Sequence, residues 1–511
     1  MKNYVKFSFL PLLLLISMTL FLRCDDDSNV PELSGESKEF PLFAKSNPAV
    51  SGSVTLSKKN DGSTLVTVQL SGTNTGGSHP AHIHTSSAAQ GGAILVDLNP
   101  IDGKTGKSET VIKALNNGST ISYEQLLVLD AYVNVHLSAS NLPTLIAQGD
   151  IGINELTSTS KTYTLSSVAN PAISGTAKVT KRVNGKTLVS IALTGTTSGV
   201  SSIAHIHINT VAQTGGVVVD LVPVNGATGK SETSVNNLNT GAAISYDEIL
   251  NFDGYINVHE SASAISTLIA QGDIGKNELT NVSKTYVLNA VTNNAITGTA
   301  KFTKRVSGET LISIALTGTT AGVASPAHIH LNSVAQGGAI AIDLTAVTGS
   351  TGRSETSISK LNNGTLVTYD MLLNFNGYIN VHQSDTNLST IIAQGNIGSN
   401  SGNGTPVNYN VTNSGASSYV FNGNGLTNSS NPNITLQRGK TYTFTVNSPG
   451  HPFLIKSAQT TGTANPFSEG VTNNGLSNGV ITFTVPSNAP NTLYYICEFH
   501  SSMTGVITVT N

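Results

Sequence analysis

Charge is what this chain has least of. Asp, Glu, Lys and Arg make up 11% of its 511 residues, against about a quarter in an ordinary globular protein. The net charge is −3, and no block of Lys and Arg occurs anywhere, so the electrostatic footprint of nucleic-acid binding is missing. Cysteine is nearly absent. Cys24 and Cys497 are the only two, which excludes a disulfide framework. Beyond the first 22 residues no apolar run is long enough to span a membrane. The stretch Thr105-Gly-Lys-Ser-Glu-Thr110 lacks the glycine lead-in and following helix of a phosphate loop and reads as a solvated turn with Lys107 and Glu109 paired. No grouping of Ser, His and Asp has the look of a nucleophilic triad. These absences point away from an enzyme.

Gly, Ser, Thr and Asn fill the space that charge leaves. Val, Ile, Leu and Thr recur at alternating positions, as in Thr187-Leu-Val-Ser-Ile-Ala-Leu-Thr194. Period-two alternation means strands with one buried face. The expected class is all-β, with thin β-sandwiches. The continuous run Gly216-Val-Val-Val-Asp-Leu221 reads as a fully buried strand. One short helix is expected per repeat, after the capping residues Ser122, Ser245 and Thr368; Gln125 and Glu248 complete a capping box and Met371 does not.

The N-terminus reads as a targeting segment. Lys2 and Lys6 precede an apolar run over 7–22, then Arg23-Cys24-Asp25-Asp26-Asp27. A basic start and a short apolar core make residues 1–23 a secretory signal. A Cys at that place before an acidic tether, 24–36, resembles the lipid-attachment site of bacterial lipoproteins, although Arg23 stands where that family has a small residue. The resemblance implies lipidation of Cys24 and an extracytoplasmic protein anchored in the bacterial cell envelope, facing the periplasm or the surface. An uncleaved signal anchor is the alternative. In either case Cys497 is a lone thiol in an oxidising compartment, and metal ligation supplies a reason for it.

The chain repeats itself. Ala81-His-Ile-His84 recurs at Ala204–His207 and Ala327–His330, a step of 123 residues each time. Tyr132-Val-Asn-Val-His136 recurs at Tyr255–His259 and Tyr378–His382. A period this long exceeds a solenoid repeat, so the expectation is three separate domains, 37–159, 160–282 and 283–398, strung like beads. Residues 399–405 are a Gly/Ser/Asn linker, and 406–511 form a further β domain.

Residues i and i+2 on a strand share a face, about 6.6 Å apart. His82 and His84 therefore lie together, as do His205/His207 and His328/His330. His136, His259 and His382 follow 52 residues after the second of each pair. Nine of the twelve histidines fall in these triplets and only His79 stands outside both them and the C-terminal domain. Each triplet reads either as a copper or zinc site or as structural histidines bonded to backbone and to Asp97, Asp220 or Asp343. Around these motifs each copy, over roughly 38–398, resembles the chordin-type (CHRD) domain. The family's closing Gly-Glu-Ile-Arg-Gly-Gln is replaced by Ala147-Gln-Gly-Asp-Ile151. The resemblance implies an immunoglobulin-like or superoxide-dismutase-like sandwich without established chemistry. A dismutase copper needs four histidines, and each copy repeats three.

The C-terminal domain carries Gly450-His-Pro-Phe453 and Cys497-Glu-Phe-His-Ser-Ser-Met503. Two imidazoles, a thiolate and a thioether are the ligand set of mononuclear copper electron-transfer sites. With Arg438-Gly-Lys-Thr-Tyr-Thr-Phe444 and Tyr494-Tyr-Ile496, these segments resemble a cupredoxin with a short ligand loop, as in amicyanin. The resemblance implies a Greek-key barrel and one type 1 copper held by His451, Cys497, His500 and Met503. It also implies an electron portal at His500 ringed by Phe499, Pro452 and Phe453, and a redox partner protein. Two other roles stay open: a copper-handling or storage protein with additional metal in the repeats, or an adhesion protein whose cupredoxin domain is scaffold.

Overall fold

Alternation builds the strands as expected. The computed structural model describes residues 32–510 apart from 293, 294, 439 and 487. The signal segment, Cys24 and most of the tether lie outside the described residues. In Thr64–Ser71, Val66, Val68 and Leu70 turn inward while Gln69 and Ser71 face water.

The first repeat has eight strands: β1 (Leu33–Ala44), β2 (Ser51–Lys59), β3 (Thr64–Ser71), β4 (Ser78–Thr85), β5 (Ile94–Asp102), β6 (Lys107–Ile112), β7 (Asp130–Ser138) and β8 (Asn141–Gly152). They close in the order β1-β2-β3-β6-β5-β4-β7-β8. The expected sandwich is thus a closed barrel, and its seams show why the two descriptions are near. β8 meets β1 only at Phe43↔Gln148 and Ala44↔Ala147, and β5 meets β6 only at Asp102↔Lys107. Two four-stranded halves are joined at thin corners, which removes the open edges a sandwich would leave.

The same order recurs in two further barrels, over 156–275 and 279–398. Each of the three has its own apolar core. Their first strands begin at Leu33, Leu156 and Leu279, ahead of the boundaries expected at 37, 160 and 283. The first four residues of β1, Leu33-Ser-Gly-Glu, are mostly polar and exposed; they read as tether because their partner, Lys59 opposite Leu33, is distant in sequence. The strand Val217–Asn225 also departs from expectation. Val217 and Val222 are exposed, so this run is half-buried and not fully buried.

A short helix, α1 (Tyr123–Leu127), starts at Ser122 with a reciprocal capping box to Gln125. Ser245 and Glu248 repeat the device, and Thr368 caps one-sidedly because Met371 offers no acceptor. Ser245→Ala is expected to destabilise the second barrel by about 1 kcal/mol, read as a lower urea midpoint; no shift would mean the cap contributes nothing there.

The chain divides into two compact units between Glu155 and Leu156. Within the second unit the barrels are not independent beads. Arg305, of the third barrel, is fully buried and its Nη1 donates to Asp273 Oδ2 of the second at 2.6 Å and to the Asn277 carbonyl.

Residues 402–510 form two facing sheets. One contains Gly402–Ser414, Lys440–Asn447 and Asn478–Thr484 at its centre; the other orders Ile434–Gln437, Thr504–Thr510, Thr492–Cys497 and Phe453–Lys456. Aromatic rings fill the space between them: Phe444 lies 5.4 Å from Phe453, which stacks on Tyr495 at 5.2 Å. Among the described residues, no helix is long and apolar enough to cross a membrane.

Candidate metal centres

The C-terminal ligands gather at one end of the two-sheet domain. Phe453 pairs with Cys497 across antiparallel strands, so His451, two residues earlier, is delivered beside the thiol. Cys497 ends its strand, and Met503 stands just before the next. The Cys497 amide donates to the Met503 carbonyl at 2.9 Å and the Met503 amide to the His500 carbonyl at 3.2 Å, which folds the intervening loop back on itself. Asn431 ties that loop down by donating to the Ser502 carbonyl at 2.8 Å.

The resulting spacings suit a first-row metal. His451 Nδ1 and His500 Nδ1 are 3.1 Å apart, and Cys497 Sγ lies 3.5 Å from His500 Nδ1 and 3.9 Å from His451 Nδ1. Metal–nitrogen and metal–sulfur bonds of about 2.05 and 2.3 Å require about 3.4 Å between nitrogens and about 3.5–3.8 Å from sulfur to nitrogen. Cys497 and Met503 are fully buried while both histidines keep partial exposure.

Sequence reasoning passed over Tyr419. This buried hydroxyl donates to the His451 and Pro452 carbonyls at 3.0 and 2.9 Å. Burial, and then the charge of Cys497 beside it, push its ionisation far above the ordinary tyrosine value, so it stays a neutral donor. No spacing in the sequence marks it, because its partners are thirty residues away. The expected apolar rim also needs correction. Phe499 is 61% exposed, but Phe453 is 0% exposed and belongs to the core, since its strand turns it between the sheets.

The repeat histidines also converge. His82, His84 and His136 bring one nitrogen each within 4.8 Å of the others, as do His205/His207/His259 and His328/His330/His382. Ile83, between the first pair, is fully buried in the barrel core, so both histidines face away from it, and Tyr132 stacks on His84 at 4.9 Å. Tyr255 and Tyr378 stack on His207 and His330 in the same way. The motif Tyr-x-Asn-x-His contained these tyrosines, but nothing in it assigned their role. Burial, then the neighbouring His136 ring, hold His82 below the ordinary histidine value, with Asp97 opposing; His205 and His328 behave alike. His79 stays apart, its Nδ1 on the Leu137 carbonyl at 2.8 Å.

Residues 31–141 match the CHRD domain family. That span covers the first barrel as far as the start of β8, with the complete first triad inside it. The two other barrels repeat the Ala-His-Ile-His and Tyr-x-Asn-Val-His segments of that span at the 123-residue step. No curated protein matches the chain. Among solved structures, a biofilm-associated protein BSP domain aligns over 95% of this chain and 99% of that one, at 12% identity and a TM-score of 0.11, too low to bear on fold or function.

Proposed function

We propose that the C-terminal domain is a cupredoxin-like, one-electron carrier holding a single copper ion through His451, Cys497, His500 and Met503, tethered outside the cytoplasm by the N-terminal segment and displayed by the three barrels. The observation that carries the reading is the convergence of one thiolate and two imidazole Nδ1 atoms at metal-bonding distances, in a chain with no other thiol beyond Cys24. Copper in such a set supplies one-electron chemistry tuned by a weak axial thioether.

The protein's part is to hold and to shield. Strand pairing at Phe453↔Cys497 and the Tyr419 hydrogen bonds keep His451 and Cys497 from shifting, so little reorganisation accompanies a change of charge. Buried Cys497 and Met503 keep water from the inner side. Phe499, exposed beside His500, offers an apolar contact for a partner protein at the edge where the metal is nearest solvent. A filled ligand set leaves no position for a substrate, in keeping with a carrier and not a catalyst.

The test is optical. The full chain loaded with Cu(II) is expected to show intense blue thiolate-to-copper absorption, absent in Cys497→Ser. A colourless loaded protein, or colour that survives the substitution, would rule the reading out.

A further inference from the structure

We infer that each barrel binds a divalent zinc or copper ion through its three histidines, and that the first and third sites bind more tightly than the second. This rests on the barrels alone, independent of the C-terminal site.

In the first barrel, His84 Nδ1 faces the Gly92 carbonyl at 3.0 Å and His136 Nδ1 faces the Leu142 carbonyl at 2.5 Å. A carbonyl only accepts, so both Nδ1 atoms carry the hydrogen and both Nε2 atoms present lone pairs. His82 Nε2 lies 3.7 Å from an Asp97 oxygen, beyond hydrogen-bond reach, and the carboxylate charge favours a hydrogen on that nitrogen. Three neutral rings own three N–H groups; two are fixed outward by carbonyls, and the Asp97 charge favours the third outward as well. Inside the cluster His136 Nε2 turns its lone pair to His82 Nδ1 at 3.1 Å, two lone pairs in opposition whenever the His82 hydrogen faces Asp97, and His84 Nε2 is buried with no partner. If His82 instead turned its hydrogen inward, its other lone pair would face a carboxylate.

A group of buried acceptors without a donor is costly, and a cation bound at its centre removes the conflict. The outer partners are those of a metal site. Metal-bound histidines donate their second nitrogen to a carbonyl or carboxylate, which sets the tautomer and strengthens the ligand. Structural histidines could make the same outer bonds; what those bonds leave unexplained is the inward-facing Nε2 atoms buried without a partner. His84 and His136 are 8% exposed; the 82–136 nitrogens already stand near the roughly 3.3 Å that a tetrahedral ion of this size requires, and a tilt of the His84 ring completes the set. The His82 side chain keeps 15% exposure, leaving a fourth position towards water, and an all-imidazole set suits zinc or copper.

The third barrel repeats the outer contacts. His330 Nδ1 meets the Gly338 carbonyl at 2.9 Å, His382 Nδ1 the Leu388 carbonyl at 2.6 Å, and His328 Nε2 lies 3.8 Å from Asp343, with His330 Nε2, His382 Nε2 and His328 Nδ1 unpartnered inside. The second differs at one point. There the strand ends at His259 and a 3-10 turn, Ala262–Ala264, replaces the hairpin. His259 Nδ1 meets no carbonyl in good geometry. Loss of such an outer partner weakens metal binding about 10–100-fold.

The full chain carrying Cys497→Ser and His451→Ala, stripped with a chelator and titrated with Zn(II) by calorimetry, is expected to take up three ions, two tightly and one about 10–100-fold more weakly. Adding His84→Ala, His207→Ala and His330→Ala is expected to abolish uptake. Asp97→Asn keeps every ligand and is expected to weaken one tight site about 10–100-fold with no change in the circular dichroism. No uptake, or uptake unaltered by the three added substitutions, would overturn the inference. Failure here leaves the blue colour of the unsubstituted chain as a separate question.

Discussion

Arg305→Ala is expected to cost about 3–5 kcal/mol, because it strands a buried carboxylate. Arg305 has no exposed surface, and Asp273 keeps 9% side-chain exposure. Their 2.6 Å contact joins the second and third barrels, and Nη1 also serves the Asn277 carbonyl. The other Asp273 oxygen accepts from the Val211 amide at 2.8 Å, so the carboxylate is held in place and cannot swing out to water. Removing the guanidinium leaves its charge with the Val211 amide as its hydrogen-bond donor in a largely buried junction. Urea unfolding of the full chain should show an earlier transition. The double variant Arg305→Met, Asp273→Asn is expected to lose much less, since replacing both partners of a buried pair by groups of similar volume is often near neutral. A single-variant loss below about 1 kcal/mol would show that the pair behaves as a surface bridge.

Phe453→Ala is the second large effect. Its ring has no exposure, stacks on Tyr495 and lies 5.4 Å from Phe444, so truncation opens a cavity in a rigid aromatic cluster at about 3–5 kcal/mol. The backbone of the same residue pairs with Cys497, so the cavity undermines the strand contact that places His451 beside the thiol. Copper transfer to a chelator should speed up along with the loss of stability. Phe499→Ala makes the contrast. That ring is 61% exposed, stability should move within about 0.5 kcal/mol, and only the rate of electron exchange with a partner should fall. If Phe453→Ala left both stability and copper release unchanged, the packing argument for the site would be wrong.

These two phenylalanines show where reading a sequence stops. Phe453 and Phe499 both flank a ligand, and both look equally suited to an apolar rim. Only strand pairing turns one into the core and leaves the other on a loop. The same limit applies to Leu33, whose strand looks like tether until Lys59 is seen opposite it, and to Tyr419, which reaches across thirty residues to the backbone of His451.

What the sequence determined by itself was everything of short range or fixed period: the strands, from alternation; the helix caps, from Ser-x-x-Gln and Ser-x-x-Glu; three repeated domains, from the 123-residue step; and the candidate ligands, because His-x-His and Cys-x2-His-x2-Met place side chains on one face or one loop. The tertiary structure alone decided what surrounds those ligands. Barrel closure at two thin seams, the buried Arg305–Asp273 junction and the carbonyls that claim the outer nitrogens of each triad all depend on chain segments far apart in sequence or on backbone atoms that every residue shares. A carbonyl oxygen leaves no mark in a sequence. It was those oxygens, from Gly92, Leu142, Gly338 and Leu388, that turned the Nε2 lone pairs of His84, His136, His330 and His382 inward.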